Sequence, residues 1–288
     1  MHDKEHEKMM VDLHRLVETQ DFKSKAEFMK FMDSMVGQQV PSFPKEILSF
    51  KEQAQDLVFE AHELSLPQGR PLIKKALKLD PDCIEAYEYL ATREQFPEIA
   101  IPLYKTAISI GDRLFGGDYL KESCGKFWGL IETRPYMRCL QYYADCLYAT
   151  KKIKECSEIL ERMLELNPND NQGVRDNLFL CLIALNEKEK YEKYSKMFKG
   201  ETSAFVVFND ALFSFKLEGE TASSDKKIKK AIKANKFVIE KLVSNQVIKT
   251  LPGHYGIGDN NEVVYYAHFA KSVWKSTDGA LTWLSKYA

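Results

Sequence analysis

In LELNPNDNQGVRDNLFLCLIAL, residues 164–185, a proline stands between two apolar helical stripes. Ahead of it, Ile153, Cys156, Ile159, Leu160, Met163, Leu164 and Leu166 recur at spacings of three and four, so an α-helix carries them on one side. Pro168 has no N–H, and its ring clashes with the preceding turn, so that helix cannot continue. Asn167 is placed to close it. Asp170 is placed to accept hydrogen bonds from the first free N–H groups of a new helix. That helix turns Val174, Leu178, Cys181, Leu182 and Leu185 inward. The chain is expected to stop one amphipathic helix and start another at once.

The same punctuation occurs at Asp80-Pro81-Asp82, inside RPLIKKALKLDPDCIEAYEYLA. Between Pro135 and Pro168 the spacing fits the tetratricopeptide pattern, with Leu140, Tyr143, Ala144 and Leu147 in the first helix and Cys156, Leu160 and Met163 in the second. Ala100, Tyr104 and Ala107 repeat a small–large–small triplet, preceded by Tyr87, Leu90 and Ala91. Small residues suit a close helix crossing, and large ones fill the gap beside it. A single helix pair cannot bury its own apolar face, so neighbouring pairs must stack. Candidate pairs fall at 50–79, 84–110, 135–166, 171–198 and 204–236. The expected fold is all-α, a tetratricopeptide-like right-handed α-solenoid of stacked helix pairs. It divides into an N-terminal helical module and linker (1–47), the repeats (48–252, with an insertion at 111–134) and C-terminal capping helices (253–288).

The ends and the insertion carry their own signals. SKAE, starting at Ser24, has capping-box spacing ahead of Phe28, Phe31, Met32 and Met35, and Gly37 closes that helix. This Met and Phe stripe is expected to pack on the first repeat. VPSFP (40–44) reads as a linker, and a second capping box, Ser49 to Glu52, opens the first repeat helix. Residues 111–134 hold five glycines and no clear period, which suggests an ordered loop. Its Phe115, Tyr119, Phe127 and Trp128 are expected to fold back across the repeats, where lining a groove is one outcome. At the C-terminus Asp259 and Glu262 cap a helix with Val263, Tyr266, Ala267, Ala270, Val273 and Trp274 on one face. The chain restarts at Thr277 with Leu281, Trp283 and Leu284.

Charge narrows the function classes. The 41 basic and 42 acidic side chains leave a net charge of −1, without the basic excess of a nucleic-acid binder. The densest basic stretch, SDKKIKKAIKANK (224–236), reads as the solvated face of a helix with Ile228, Ala231, Ile232 and Asn235 opposite. No uncharged apolar run is long enough to span a membrane, and MHDKEHEKMMVDLH lacks a signal-peptide core, so the expected location is cytoplasmic. Cys83, Cys124, Cys139, Cys146, Cys156 and Cys181 form no CxxC pair and suit small buried positions better than disulfides or a zinc site.

Catalytic and cofactor signals are weak. GHYGIGDN (253–260) lacks the strand and GK[ST] of a phosphate loop and reads as a turn before a capped helix. His2, His6 and His14 have helical metal spacing but sit near the start of the chain, where adventitious binding is the most they suggest. His268, beside Tyr265, reads as a packing residue, and no GxSxG serine occurs. No catalytic, cofactor or metal residues are therefore expected.

FWGLIETRPYMR (127–138), LNPNDNQGVR (166–175) and GDNNEVVYYAHFAKSVWKSTDGALTWL (258–284) together resemble the suppressor-of-tumorigenicity family of tetratricopeptide-like proteins and its soluble bacterial relatives. The resemblance spans roughly residues 76–284 and leaves 1–44 outside it. It implies a helical-repeat architecture without an enzymatic activity. Animal members of the family carry membrane segments that have no counterpart in this sequence.

The function expected on this reading is a non-enzymatic scaffold or adaptor, with a peptide or protein partner on the concave face, no nucleic acid and no membrane. The first helix of each pair lines that groove, which nominates Glu85, Glu88, Thr92, Arg138, Gln141, Asp145, Tyr148, Gln172, Arg175 and Phe179. Arg138 and Arg175 suit a two-pronged grip on a partner carboxylate, or an ion pair within the chain. For Arg175 the nearby Asp170 and Asp176 favour the latter. The alternatives are a homo-oligomer formed through the N-terminal Met/Phe helix, and a hydrolase built on His268 or a cysteine.

Overall fold

The computed structural model describes residues 4–288, which form sixteen α-helices and no strand. The fold is all-α. The chain divides into two compact units, one running to Thr150 and including Glu165–Asn169, the other comprising Lys151–Leu164 and Asp170–Ala288.

In the first unit the helices are α1 (Lys4–Glu18), α2 (Lys25–Met35), α3 (Phe50–His62), α4 (Leu66–Leu79), α5 (Ile84–Ala91), α6 (Pro97–Leu114), α7 (Gly117–Ser123) and α8 (Arg134–Ala149). Ser49 starts α3 through a full capping box: its hydroxyl accepts from Glu52 N at 3.3 Å, and the Glu52 carboxylate accepts from Ser49 N at 2.8 Å. Helices α3, α4 and α5 close over a core of Ala54, Leu57, Val58, Ala61, Ile73, Ala76, Cys83, Ala86 and Tyr89. Helix α6 packs against both α5 and α8. At Gly111 it meets Tyr136 so closely that a Cβ would lie 2.0 Å from the ring.

Two expectations for this unit change. The insertion is not a plain loop, since α6 continues to Leu114 and α7 follows. Phe115, Tyr119, Phe127 and Tyr136 then gather with ring centroids 5.2 to 6.2 Å apart, so aromatic burial orders the segment. The N-terminal module also packs differently. Ser24 does cap α2, accepting from Glu27 N at 3.2 Å. However, α2 buries none of its residues, and Phe28 and Phe31 set their rings against Phe22, at 5.5 and 5.3 Å. The helix that packs on α3 is α1.

Helix α9 (Ile153–Leu166) ends before Pro168, as its sequence requires. The second unit continues with α10 (Arg175–Leu185), α11 (Lys188–Met197), α12 (Ala204–Glu218), α13 (Ala222–Ala234), α14 (Val238–Val243), α15 (Asn260–Ser276) and α16 (Ala280–Ser285). Asp170 accepts from Val174 N at 2.8 Å and Arg175 N at 3.2 Å, holding the start of α10. Asp259 caps α15 through Glu262 N at 2.7 Å. Glu262 turns inward instead of completing a capping box. Fully buried, it accepts from Ala204 N at 2.7 Å, Asn235 Nδ2 at 2.8 Å and Gly258 N at 2.8 Å. It thereby ties together the starts of α12 and α15 and the end of α13. Trp274 and Trp283 stack on each other, and Trp274 Nε1 donates to the Tyr266 hydroxyl at 2.8 Å. The six cysteines are free thiols, with the Sγ atoms of Cys156 and Cys181 3.6 Å apart.

Candidate functional site

The residues nominated as a groove divide between the two units. Seven lie in the first. Glu85 and Glu88 stand three apart on α5 and so share a face, and Arg138 reaches them from α8. Its Nε donates to Glu88 Oε1 at 2.7 Å and its Nη2 to Glu88 Oε2 at 2.8 Å, a two-pronged pair. Nη2 also meets Glu85 Oε1 at 3.1 Å. These side chains are only 1% (Glu85), 4% (Glu88) and 2% (Arg138) exposed.

The cover over them is α1. Arg138 Nη1 donates to Glu7 Oε1 at 2.7 Å. Lys4 Nζ donates to Glu7 at 3.0 Å and also to Glu85, which further accepts from Gln55 of α3. Three carboxylates therefore face two cations inside the unit. Burial works against the charge on Arg138, yet Glu88, Glu85 and Glu7 outweigh it and hold the guanidinium above its ordinary value. Burial likewise opposes the Lys4 ammonium, and Glu85 and Glu88 outweigh it, raising its pKa. For Glu7, burial pushes the carboxyl up, but Arg138 and Lys4 prevail and lower it. The network is ionised throughout these three groups at neutral pH.

A second anchor holds the far end of α1. Arg15 Nη1 donates to Asp12 at 3.0 Å and to Asp56 of α3 at 2.9 Å, and its Nε lies 3.3 Å from Glu52. The buried residues of α1 are Glu7, Asp12 and Arg15, all of them charged. Nearby, burial pushes the His62 imidazole down to about 4, so the ring is neutral beside Arg93 and Tyr89.

A cavity of about 380 Å³ opens beside α1. Val11, His14 and Arg15 line it from α1, Asp80 and Ile84 from the α4–α5 turn and α5, and Phe115, Ile131 and Glu132 from the insertion. Asp80 accepts from Asp82 N at 3.0 Å and Glu132 from the Tyr119 hydroxyl at 3.1 Å. Neither carboxylate meets a cation among the described residues.

Of the two readings of Arg138, the ion pair within the chain holds. Arg138 grips carboxylates of its own chain, because Glu88 and Glu7 supply the geometry first. Glu85 and Glu88 are covered for the same reason. Thr92 is exposed and donates to Glu88 O at 2.9 Å, Asp145 is exposed, and Gln141 and Tyr148 are half-buried on α8. The other three residues belong to the second unit. Arg175 pairs with Asp170 at 2.9 Å and Glu201 at 3.1 Å, so the pairing within the chain holds for it. Phe179 is buried against Tyr191, with centroids 4.9 Å apart, and is a core residue instead of a lining one. Gln172 is half-buried.

Sequence reasoning missed Lys4, Glu7, Arg15, Gln55 and Asp56. The only signal was the spacing of charges in KEHEKMMVDLHRLVE, which equally suits a solvated helix face. Of the three histidines near the start, His2 lies outside the described residues and His14 is 3.5 Å from Glu18. His268 is exposed with its ring against Phe269. Among the described residues no cluster of three or more His, Cys, Asp or Glu is placed to hold a metal ion, and no helix is long and apolar enough to cross a membrane. No family model, curated protein or solved structure matches the chain.

Proposed function

We propose that this chain is a non-enzymatic protein-interaction module, a tetratricopeptide-like α-solenoid of stacked helix pairs that holds a helical segment of a protein partner on its concave face. The observation that carries this reading is α1, a helix seated on α3, α5 and α8, the first members of their pairs, through buried charges. Glu85, Glu88 and Arg138 contact Lys4 and Glu7, and Asp56 contacts Arg15. A surface that binds one helix through specified ion pairs has the chemistry to bind another. Support for the stacked architecture comes from two consecutive helices at each of the five positions read from the sequence, with α3 on α4, α5 on α6, α10 on α11 and α12 on α13 in contact.

The test is site-specific photo-crosslinking in native lysate. A photoreactive side chain replaces Gln55, which faces the network, or Lys105, which is exposed on α6. The chain also carries Lys4→Glu and Arg15→Glu to loosen α1. The expected outcome is an adduct with another polypeptide from position 55 and none from position 105. Equal labelling from both positions, or none, would overturn the reading.

A further inference from the structure

The way α1 is held differs from the way the rest of the unit is held. Helix α3 buries Ala54, Leu57, Val58, Phe59 and Ala61, an ordinary apolar set. Helix α1 buries charges alone, while Met10, Val11, Leu13, Leu16 and Val17 stay half-buried. Buried ion pairs return little net stability, because desolvation offsets their attraction, but they fix register and punish mismatches. The α1 interface is therefore strong in pattern and weak in apolar anchorage. The tether adds to this: no residue between Glu18 and Leu48 is buried, α2 included.

The occupied surface also has unused capacity. Beside α1 the cavity carboxylates of Asp80 and Glu132 form no ion pair among the described residues, although Arg15 and Lys51 line the same cavity, and His14, which lines it from α1, lies 3.5 Å from its own Glu18. A longer basic side chain in place of His14 would enter the cavity that Asp80 and Glu132 line, and would leave the Lys4, Glu7 and Arg15 pairs in place.

We propose that α1 is a resident stand-in for the partner, resting on the function proposed above. The partner presents an amphipathic helix with a cation, an acid three residues on and a cation eight residues after that, the register of Lys4, Glu7 and Arg15. It carries Lys or Arg where α1 has His14. That extra cation is what lets it compete with a tethered segment, whose effective concentration is on the order of millimolar.

The test uses a fluorescein-labelled synthetic peptide of residues 4–18 and its His14→Arg form, with binding read by anisotropy. Each is titrated with the full wild-type chain and with the full chain carrying Lys4→Glu and Arg15→Glu. Circular dichroism checks that both fold, and Lys4→Gln/Arg15→Gln replaces the charge reversals if the first variant does not. Expected is binding to the released chain about tenfold or more tighter than to wild type, equivalent to roughly 1.4 kcal/mol. The His14→Arg peptide should bind more tightly still, and adding Asp80→Asn and Glu132→Gln to the released chain should remove that gain. Equal binding to both chains, or no gain from His14→Arg, would overturn the proposal. A wild-type dimer that the α1 variant converts to monomer would also overturn it, since a second copy would then be the occupant. If the folded released chain binds neither peptide while position 55 still crosslinks a partner, the stand-in falls and the interaction module stands. If crosslinking fails as well, both fall.

Discussion

Arg138 is the residue on which the first unit's charges converge. It offsets Glu7, Glu85 and Glu88, all three of them buried. Removing one member of such a network leaves the others buried and uncompensated, which costs about 3–5 kcal/mol. Arg138→Ala should lower the urea midpoint accordingly, and an unchanged midpoint would mean that water reaches the carboxylates. Asp176, in the second unit, presents the opposite problem. Its Oδ1 has no hydrogen-bond partner, and burial raises its pKa from an ordinary 3.8 to about 7 against the opposing pull of Arg175. A raised carboxyl favours the folded state most below the unfolded value, and that advantage is lost as pH rises through 7. Above pH 7 the wild type must hold an ionised, partly dehydrated carboxylate. Asp176→Asn should therefore melt at a higher temperature than wild type at pH 8 and show no such gain at pH 4. The same gain at both pH values would show that charge is not the cause.

Helices, more than single residues, decide where the site sits, and Gly111 shows how. On propensity alone Gly111→Ala in α6 should stabilise by up to about 1 kcal/mol. The new Cβ would instead lie 2.0 Å from the Tyr136 ring, whose hydroxyl is fixed on Asp112 at 2.7 Å. Overpacking of this kind typically costs about 1–3 kcal/mol, so the net sign should be destabilising. Thermal unfolding of Gly111→Ala decides it, and a raised Tm would show that α6 and α8 separate easily. Helix positions were legible in the sequence because apolar spacing, proline and capping residues are local signals. The boundaries at Ser49, Pro168 and Asp259 follow from them directly. What was not legible depends on tertiary contact. Leu178 to Ile183 of α10 are all buried, so the segment has no polar face to say which side Phe179 takes. In α1 the buried face is the charged one, the reverse of the rule by which amphipathic helices are read. Glu85, Glu88 and Arg138 were singled out together, but the helix that covers them was not.

At the scale of the whole molecule, each unit carries its own core and its own buried polar tie. The first is joined by Arg138, the second by Glu262, which accepts three hydrogen bonds while fully buried. The tryptophans separate the two by position: Trp128 belongs to the first unit, Trp274 and Trp283 to the second. In a Trp128→Phe background, emission comes only from the stacked pair in the second unit. Glu262→Ala orphans the Ala204 and Gly258 N–H groups and the Asn235 amide, and an unsatisfied buried group costs about 1–3 kcal/mol. It should therefore lower the denaturation midpoint read by fluorescence. Arg138→Ala in the same background should lower the midpoint of part of the helical signal in circular dichroism while leaving the fluorescence midpoint in place. A common shift in both signals for both variants would mean that the two units unfold as one cooperative body. The charged network around α1 would then bear on the stability of the entire chain, and loosening α1 would be felt well beyond the surface it covers.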